Sequence, residues 1–178
     1  MTLPRVRREA VAVPVRRLNH AVLYVRDVAV SVAFYEEALG LAPVDEVPGR
    51  VAFLRAAGSL NDHDLGLFAV GEGAPGPEAG RVGLYHLAWE VGTLRELVAA
   101  RELLAGRGAL VGESDHLVSK SLYAKDPDGN EFEVMWRVPR EDWPGPDEPD
   151  RLRPLDLAAA LARWGPDRET GAAAGQAT

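Results

Sequence analysis

Cysteine is absent from this 178-residue sequence, which excludes disulfides, thiolate metal ligands and a cysteine nucleophile. A metal site would therefore have to use histidine and carboxylate side chains, and the chain has only four histidines. No apolar run approaches the roughly 20 residues that a membrane-spanning helix needs. The arginine-rich N-terminus is not followed by the apolar segment of a signal peptide, so the sequence predicts a cytoplasmic protein with no membrane partner.

Positive charge is also in short supply. The chain has 20 Lys and Arg residues against 27 Asp and Glu, a formal net charge of −7, and this balance argues against binding to a nucleic-acid backbone. The hydrophobic fraction of 47% and the charged fraction of 26% are ordinary for a globular protein with a real core. The length predicts one domain or two small fused modules.

The order of predicted elements occurs twice along the chain. Residues 18–25 form a predicted strand, a helix follows over about 30–39, and further strands are predicted at 41–47, 50–55 and 63–70. A Gly- and Pro-rich connector over residues 71–80 separates this half from the second. The second half has a strand at 82–91, a helix over 94–104, an extended return from 110, a polar stretch over 113–119, and strands at 120–125 and 131–136. This order predicts two βαβββ modules related by an internal repeat.

Three side chains in this repeat could form a metal site. His20 and His86 occupy the matching position in the first strand of each half, and Glu133 lies on the last strand. Two histidines and one carboxylate leave about three coordination positions open, which suits non-haem Fe(II) chemistry. The residues alone leave open a structural role for each, because a single histidine in an apolar strand is more often structural than a ligand.

Four segments carry a family resemblance. They are LNHAVLYVRD at 18–27, FYEEALGL at 34–41, YHLAW at 85–89 and LYAKDPDGNEFE at 122–133. In these segments the chain resembles the vicinal oxygen chelate superfamily, which includes glyoxalase I, extradiol dioxygenases and the fosfomycin and bleomycin resistance proteins. The resemblance implies an α+β fold of paired βαβββ modules, 17–77 and 81–138, which form a metal-binding cleft. Outside the domain at 17–138 we expect an N-terminal arm over 1–16 and a C-terminal tail over 139–178 with a short helix near 155–164.

The resemblance also implies the ligands and the metal. His20, His86 and Glu133 would hold the ion, with Fe(II) expected and Mn, Zn or Ni as alternatives. Members with glyoxalase-like chemistry usually add a carboxylate on the last strand of the first module, where this chain has Gly66. An open fourth position favours the catechol 2,3-dioxygenase-like branch.

Proton transfer would fall to His116 and Tyr123. Tyr123 matches a tyrosine of two-domain extradiol enzymes in the strand before the final glutamate, and an imidazole beside a phenol could pass a proton to or from a substrate oxygen. Both residues could equally have structural roles. His63 and Asp64 are weaker candidates for lining the cleft or for an additional ligand, and Lys120 could face either solvent or the cleft.

The expected function is an extradiol-type ring-cleavage dioxygenase that acts on a small catechol-like aromatic and O₂, in a homodimer. Three alternatives stay open. One is a metal-dependent lyase, isomerase or transferase of the glyoxalase or fosfomycin-resistance kind. The second is a drug-binding resistance protein, and the third is a degenerate member of the superfamily with no remaining activity.

Overall fold

A computed structural model of the chain describes residues 14–145, 148 and 152–171. Most of the predicted N-terminal arm, residues 1–13, lies outside the described residues. The first module consists of β1 (Ala21–Val25), α1 (Val28–Leu39), β2 (Ala42–Val47), β3 (Val51–Arg55) and β4 (Leu65–Ala69).

The second module consists of β5 (His86–Glu90), α2 (Leu94–Gly106), β6 (Leu110–Asp115), β7 (Ser119–Lys125) and β8 (Glu131–Arg137). After β8 come a short 3₁₀ turn, Arg140–Asp142, and the helix α3, Leu157–Trp164. The predicted α+β fold with two βαβββ modules is confirmed.

Each module forms a four-stranded mixed sheet, which we call sheet A in the first module and sheet B in the second. The strand orders are β1-β4-β3-β2 and β5-β8-β7-β6. In each sheet the first and last strands of the module pair in parallel, and the other pairs are antiparallel. The last strand of each module is therefore flanked on both sides, as an inner strand.

Helix boundaries follow the local sequence. The side chain of Asp27 accepts hydrogen bonds from the backbone N–H groups of Ala29 and Val30, which begins α1. Gly40 ends α1 in the left-handed conformation, with φ of 65°, where glycine meets no steric penalty. Thr93 and Glu96 form a reciprocal capping box at the start of α2.

Several boundaries differ from the sequence prediction, and three of these differences bear on the candidate site. Strand β5 begins at His86 rather than residue 82, because its partner β8 begins at Glu131 and the two residues are paired in register. Strand β6 continues to Asp115, since the β6–β7 hairpin carries its pairing through a stretch predicted as polar loop. Strand β4 begins at Leu65, so His63 lies in the preceding loop.

The two modules share a hydrophobic core, and polar contacts of α1 and the residues just before it with the β7–β8 turn connect them. The Phe34 ring packs edge-on against Phe132, with ring centroids 5.9 Å apart. The Tyr35 hydroxyl donates a hydrogen bond to Asp126 Oδ2 at 3.0 Å, and Arg26 contacts Asp128 at 2.8 Å. Burial, followed by the charge of Asp126, raises the pKa of Tyr35 above its ordinary value, so the phenol stays a donor.

None of the helices in the described part of the chain is long and apolar enough to cross a membrane.

We predict that Tyr35→Phe weakens the junction between the modules. The change leaves the ring packing intact but removes a buried donor to a carboxylate, which costs roughly 1–3 kcal/mol of unfolding free energy. Urea denaturation at neutral pH measures the difference. Tyr24→Phe, compared at a concentration at which both variants are monomeric, is the control, because Tyr24 is 74% exposed in the single chain. A cost equal to that of Tyr35→Phe would contradict the prediction.

Candidate functional site

His86 and Glu133 lie together on one face of sheet B. The parallel register of β5 and β8 pairs Ala88 with Glu133, and the antiparallel register of β7 and β8 pairs Tyr123 with Glu133. Because side chains alternate along a strand, His86, Glu133 and Tyr123 all project from the face opposite the buried Phe132 and Val134. His86 Nε2 is 3.2 Å from Glu133 Oε2. We call this side of sheet B the site face.

The His86–Glu133 pair has the donors that a divalent cation needs. Both side chains are partly shielded from solvent, at 25% and 11% exposure. Glu133 is also close enough to Tyr123 for its charge to act on the phenol. An imidazole nitrogen and a carboxylate oxygen that face each other at this distance could bind the same ion, and these donors suit Fe(II), Mn, Zn or Ni. The residues therefore fit part of the expected metal site.

The neighbouring carboxylate, Glu131, has a different partner. A hydrogen bond to Glu131, followed by its charge, raises the pKa of Tyr85. Glu131 lies opposite Lys125 on β7 and opposite His86 on β5 in the strand register. Glu131 can therefore serve as a control for Glu133, because the two carboxylates lie on the same strand and the same face but have different partners.

His116 and Tyr123, the two residues predicted to handle protons, are in direct contact. His116 Nε2 lies 2.7 Å from the Tyr123 hydroxyl, and the Tyr123 ring lies 5.6 Å from the His86 ring between centroids. Burial, followed by the charge of Glu133, raises the pKa of Tyr123 to about 12. Tyr123 is therefore a neutral phenol at physiological pH, able to donate its proton to His116 or to a bound oxygen.

The structure does not bring His20 into the His86–Glu133 pair. His20 Nδ1 lies 2.7 Å from Asn19 Oδ1, and its ring packs on His63 with centroids 4.4 Å apart. His20 lines an open pocket of about 200 Å³ with Ala88 and Trp89, which follow His86 on β5. Across residues 14–145, 148 and 152–171, no group of three or more metal-ligating side chains is close enough to hold an ion. The full set of His20, His86 and Glu133 stays a prediction.

His63 and Asp64 differ in whether they have an atom free to bind a metal. His63 Nδ1 contacts Asp62 at 2.7 Å, while its Nε2 is buried without a hydrogen-bond partner among the described residues. Burial alone would raise the pKa of Asp64, but hydrogen bonds from Ser59, Ala56 and Asn61 outweigh it and lower that pKa. Asp64 is thus committed to its own loop, whereas His63 has a free nitrogen beside His20.

Gly66 occupies the position in sheet A that Glu133 occupies in sheet B. Val22 pairs with Gly66 in the parallel register of β1 and β4, as Ala88 pairs with Glu133. A Cβ atom on Gly66 would lie 3.3 Å from Val22 Cγ2 and 3.5 Å from the Phe53 ring. The first module thus provides no carboxylate here, and an added Cβ atom would crowd Val22 while making ordinary contact with the Phe53 ring.

Sequence reasoning left the direction of Lys120 open and did not assign a role to Asp115. Lys120 is 5% exposed and lies on the helix-covered face of sheet B, away from Tyr123. Its Nζ donates to Asp115 Oδ1 at 2.5 Å. The alternation of residues 119–125 could have shown that Lys120 and Tyr123 face opposite ways, but not which partner Lys120 finds.

Comparison with known proteins agrees with this geometry. Residues 17–134 match the model of the Glyoxalase/Bleomycin resistance protein/Dioxygenase superfamily. The chain belongs to this superfamily.

Individual relatives within the superfamily are distant. The chain is 35% identical to a catechol-2,3-dioxygenase of Bacillus subtilis over 97 residues, which cover 53% of this chain and 34% of the relative. It is 26% identical to metapyrocatechase 2 of Cupriavidus necator over 170 residues, 91% of this chain and 48% of the relative. The chain thus spans about a third and about half of their lengths.

A solved structure agrees over most of the chain. A glyoxalase/dioxygenase from Nostoc punctiforme superimposes with a TM-score of 0.60 at 26% identity, covering 72% of this chain and 97% of the other. Such a superposition supports the fold and the arrangement of elements around the site face. It does not specify a reaction.

We predict that Glu133→Gln lowers the affinity for a divalent metal by at least about tenfold, because replacing even groups that only orient metal ligands costs 10–100-fold. Isothermal titration with Fe(II) under anaerobic conditions, or with Zn(II), measures this loss. Glu131→Gln is the matched control, since Glu131 lies on the same strand and face but bonds to Tyr85. An equal loss in both variants would show that the affinity reflects overall charge and not the His86–Glu133 pair.

Proposed function

We propose that the protein is an Fe(II)-dependent extradiol-type dioxygenase that cleaves the ring of a small catechol-like substrate. One observation carries the proposal: the His86–Glu133 pair and the His116–Tyr123 pair lie side by side on the site face. The first pair has metal donors and the second has a phenol and an imidazole in hydrogen-bond contact. Similarity to a catechol-2,3-dioxygenase and to a metapyrocatechase supports this choice within the superfamily.

Each pair has a defined part in this reaction. His86 and Glu133 would hold the metal, and bound Fe(II) would supply a positive centre for the two catechol oxygens and the redox chemistry with O₂. Tyr123, a neutral phenol at physiological pH, would hydrogen-bond a substrate oxygen through its hydroxyl. His116 Nε2 would accept or return the proton through that hydroxyl. The Tyr123 ring beside His86 would also exclude water from one side of the site.

We predict that protein loaded with Fe(II) under anaerobic conditions takes up O₂ when it is given a catechol and forms a yellow ring-cleavage product. His116→Gln and Tyr123→Phe should lower kcat by about 10²–10⁴-fold, the usual share of a general acid–base group. Both should still bind the metal, which separates proton transfer from metal binding. Glu131→Gln should keep its activity. The proposal is wrong if a panel of catechols gives neither O₂ uptake nor a coloured product with fully loaded protein.

The alternative is a lyase, isomerase or transferase of the glyoxalase or fosfomycin-resistance kind. The superfamily model that matches the chain includes glyoxalases, and the His86–Glu133 pair would also serve Zn, Ni or Mn. Such an enzyme would turn over its substrate without O₂. Turnover of a hemithioacetal or an epoxide under anaerobic conditions, together with no O₂ uptake on catechols, would select this alternative. Metal-independent binding of bleomycin would instead select the drug-binding reading.

We further infer that the protein works as a homodimer in which His20 of the partner subunit completes the metal site. His20 shares a pocket with Leu87, Ala88 and Trp89 of its own chain, but within the described part of the chain it does not form a three-ligand group with His86 and Glu133. The face of sheet A that carries Val22, Tyr24 and Phe68 is apolar and exposed, at 50%, 74% and 38%. A second copy would cover this face and bring its own ligand.

We predict that His20→Ala and His86→Ala chains, each inactive alone, recover activity when they are mixed and allowed to exchange subunits. A mixed dimer would hold one site with all its ligands, so random mixing should restore about a quarter of wild-type activity per chain. The metal content per dimer, measured on the mixture, tests without a substrate whether a mixed dimer holds one complete site. No recovery in a sample shown to contain mixed dimers would contradict a shared site.

A further inference from the structure

The C-terminal segment, residues 152–171, lies beyond the 17–134 range of the superfamily match and packs on the helix-covered face of sheet B. Its helix α3 contacts α2, and the Trp164 ring lies 5.4 Å from the Trp136 ring between centroids. Trp136 Nε1 donates to the backbone carbonyl of Arg168 at 3.1 Å. These contacts fix the segment on the opposite side of the sheet from the site face.

The same segment adds a backbone bridge to the free edge of β6. The Asp115 N–H donates to the Arg153 carbonyl, and the Arg153 N–H donates to the Asp115 carbonyl, both at 2.8 Å. This pair of bonds is an isolated antiparallel bridge, in which the two residues exchange both of their backbone N–H···O bonds. Asp115 is also the last residue of β6 and directly precedes His116.

The Asp115 carboxylate shapes the turn that follows. Its Oδ1 accepts from the Leu117 N–H at 2.7 Å and from Lys120 Nζ at 2.5 Å. Leu117 has φ of 67°, a conformation that a side chain with a Cβ rarely adopts, and the Asp115 hydrogen bond helps to hold it there. His116 N–H donates to the Ser119 carbonyl at 3.0 Å and closes the turn.

Helix α3 holds Lys120 in this arrangement. Lys120 Nζ lies 5.3 Å from the centre of the Trp164 ring, and the side chain is almost fully covered. A buried ammonium needs a nearby anion, and Asp115 provides it. Asp115 is thus bonded to the C-terminal segment through its backbone. Its carboxylate is bonded to the Lys120 ammonium, which lies beneath α3.

We propose that the C-terminal segment acts through Asp115 to position His116 against Tyr123. Asp115 is a positioning residue: it does not face the metal pair, but it sets the backbone from which the His116 imidazole reaches the Tyr123 hydroxyl. The inference rests on the proposed function, in which His116 and Tyr123 handle protons. The hydrogen bond between those two side chains can nevertheless be measured without turnover.

Arg153→Pro and Arg153→Ala form the matched test pair. Both lose the ion pair of Arg153 with Glu148, but only proline removes the N–H that donates to Asp115. The readout is the imidazole ¹⁵N signal of His116 by NMR, assigned with His116→Gln. Tyr123→Phe gives the reference spectrum in which the His116–Tyr123 bond is absent.

We expect Arg153→Ala to keep the wild-type His116 signal and Arg153→Pro to shift it toward the Tyr123→Phe position. With a catechol substrate, kcat of Arg153→Pro should fall at least about tenfold while KM changes little, since proton transfer is affected and binding is not. A wild-type His116 signal in folded Arg153→Pro overturns the proposal. If the wild-type protein cleaves no catechol, the proposed reaction fails, but the NMR comparison still decides the positioning role.

A second pair serves if Arg153→Pro does not fold. Asp115→Asn with Lys120→Met removes both charges but keeps an acceptor for the Leu117 N–H, whereas Asp115→Ala with Lys120→Met removes that acceptor too. Neither leaves a buried charge unpaired. We expect the asparagine double variant to keep the His116 signal and the alanine double variant to lose it. Equal spectra for these two variants would overturn the role of Asp115.

Discussion

The hydrogen-bond register of β8 is the constraint on which the candidate site depends. As an inner strand, β8 pairs with β5 on one side and β7 on the other, and this places Glu133 between Ala88 and Tyr123. A slip of one residue in either pairing would turn Glu133 toward the core and bring Phe132 or Val134 to the site face. The buried side chains of β8 prevent that slip. It would move Phe132, Val134 and Trp136 out of the core, and the favourable free energy of burying their apolar surface would be lost.

The two faces of sheet B therefore make different kinds of contact, and Asp115 takes part in both. The helix-covered face holds Trp136, Lys120 and the C-terminal segment, and its contacts are packing and paired charge. The site face holds polar groups whose partners are each other. Asp115 is the last residue of the edge strand β6. Its backbone bonds the C-terminal segment, and its carboxylate accepts a hydrogen bond within the turn that contains His116. Through Asp115, the C-terminal segment is thus connected by hydrogen bonds to the turn that carries His116.

The sequence predicted well those features that depend on local patterns. The order of predicted strands and helices identified both modules, and the predicted bounds of β7 and β8 agree with the structure to within one residue. It predicted less well those features that depend on how distant segments pack. The position of His20 relative to His86 follows from the packing of the two modules, and the burial of Lys120 follows from a tail about 40 residues further on, near Trp164. Neither of these two spatial relationships produces a periodic pattern that could be recognised in a single sequence.

The internal repeat is symmetric in backbone but not in chemistry, and this asymmetry favours one site over two. Gly66 and Glu133 are equivalent positions, yet one has no side chain and the other has a buried carboxylate. Around Gly66 the face of sheet A has Val22, Phe53 and Phe68, whereas the site face of sheet B has ionisable groups. Because a cation needs anionic and nitrogen donors, the second module has the chemistry that the proposed metal site requires, whereas the first module offers mainly apolar contact at the equivalent position.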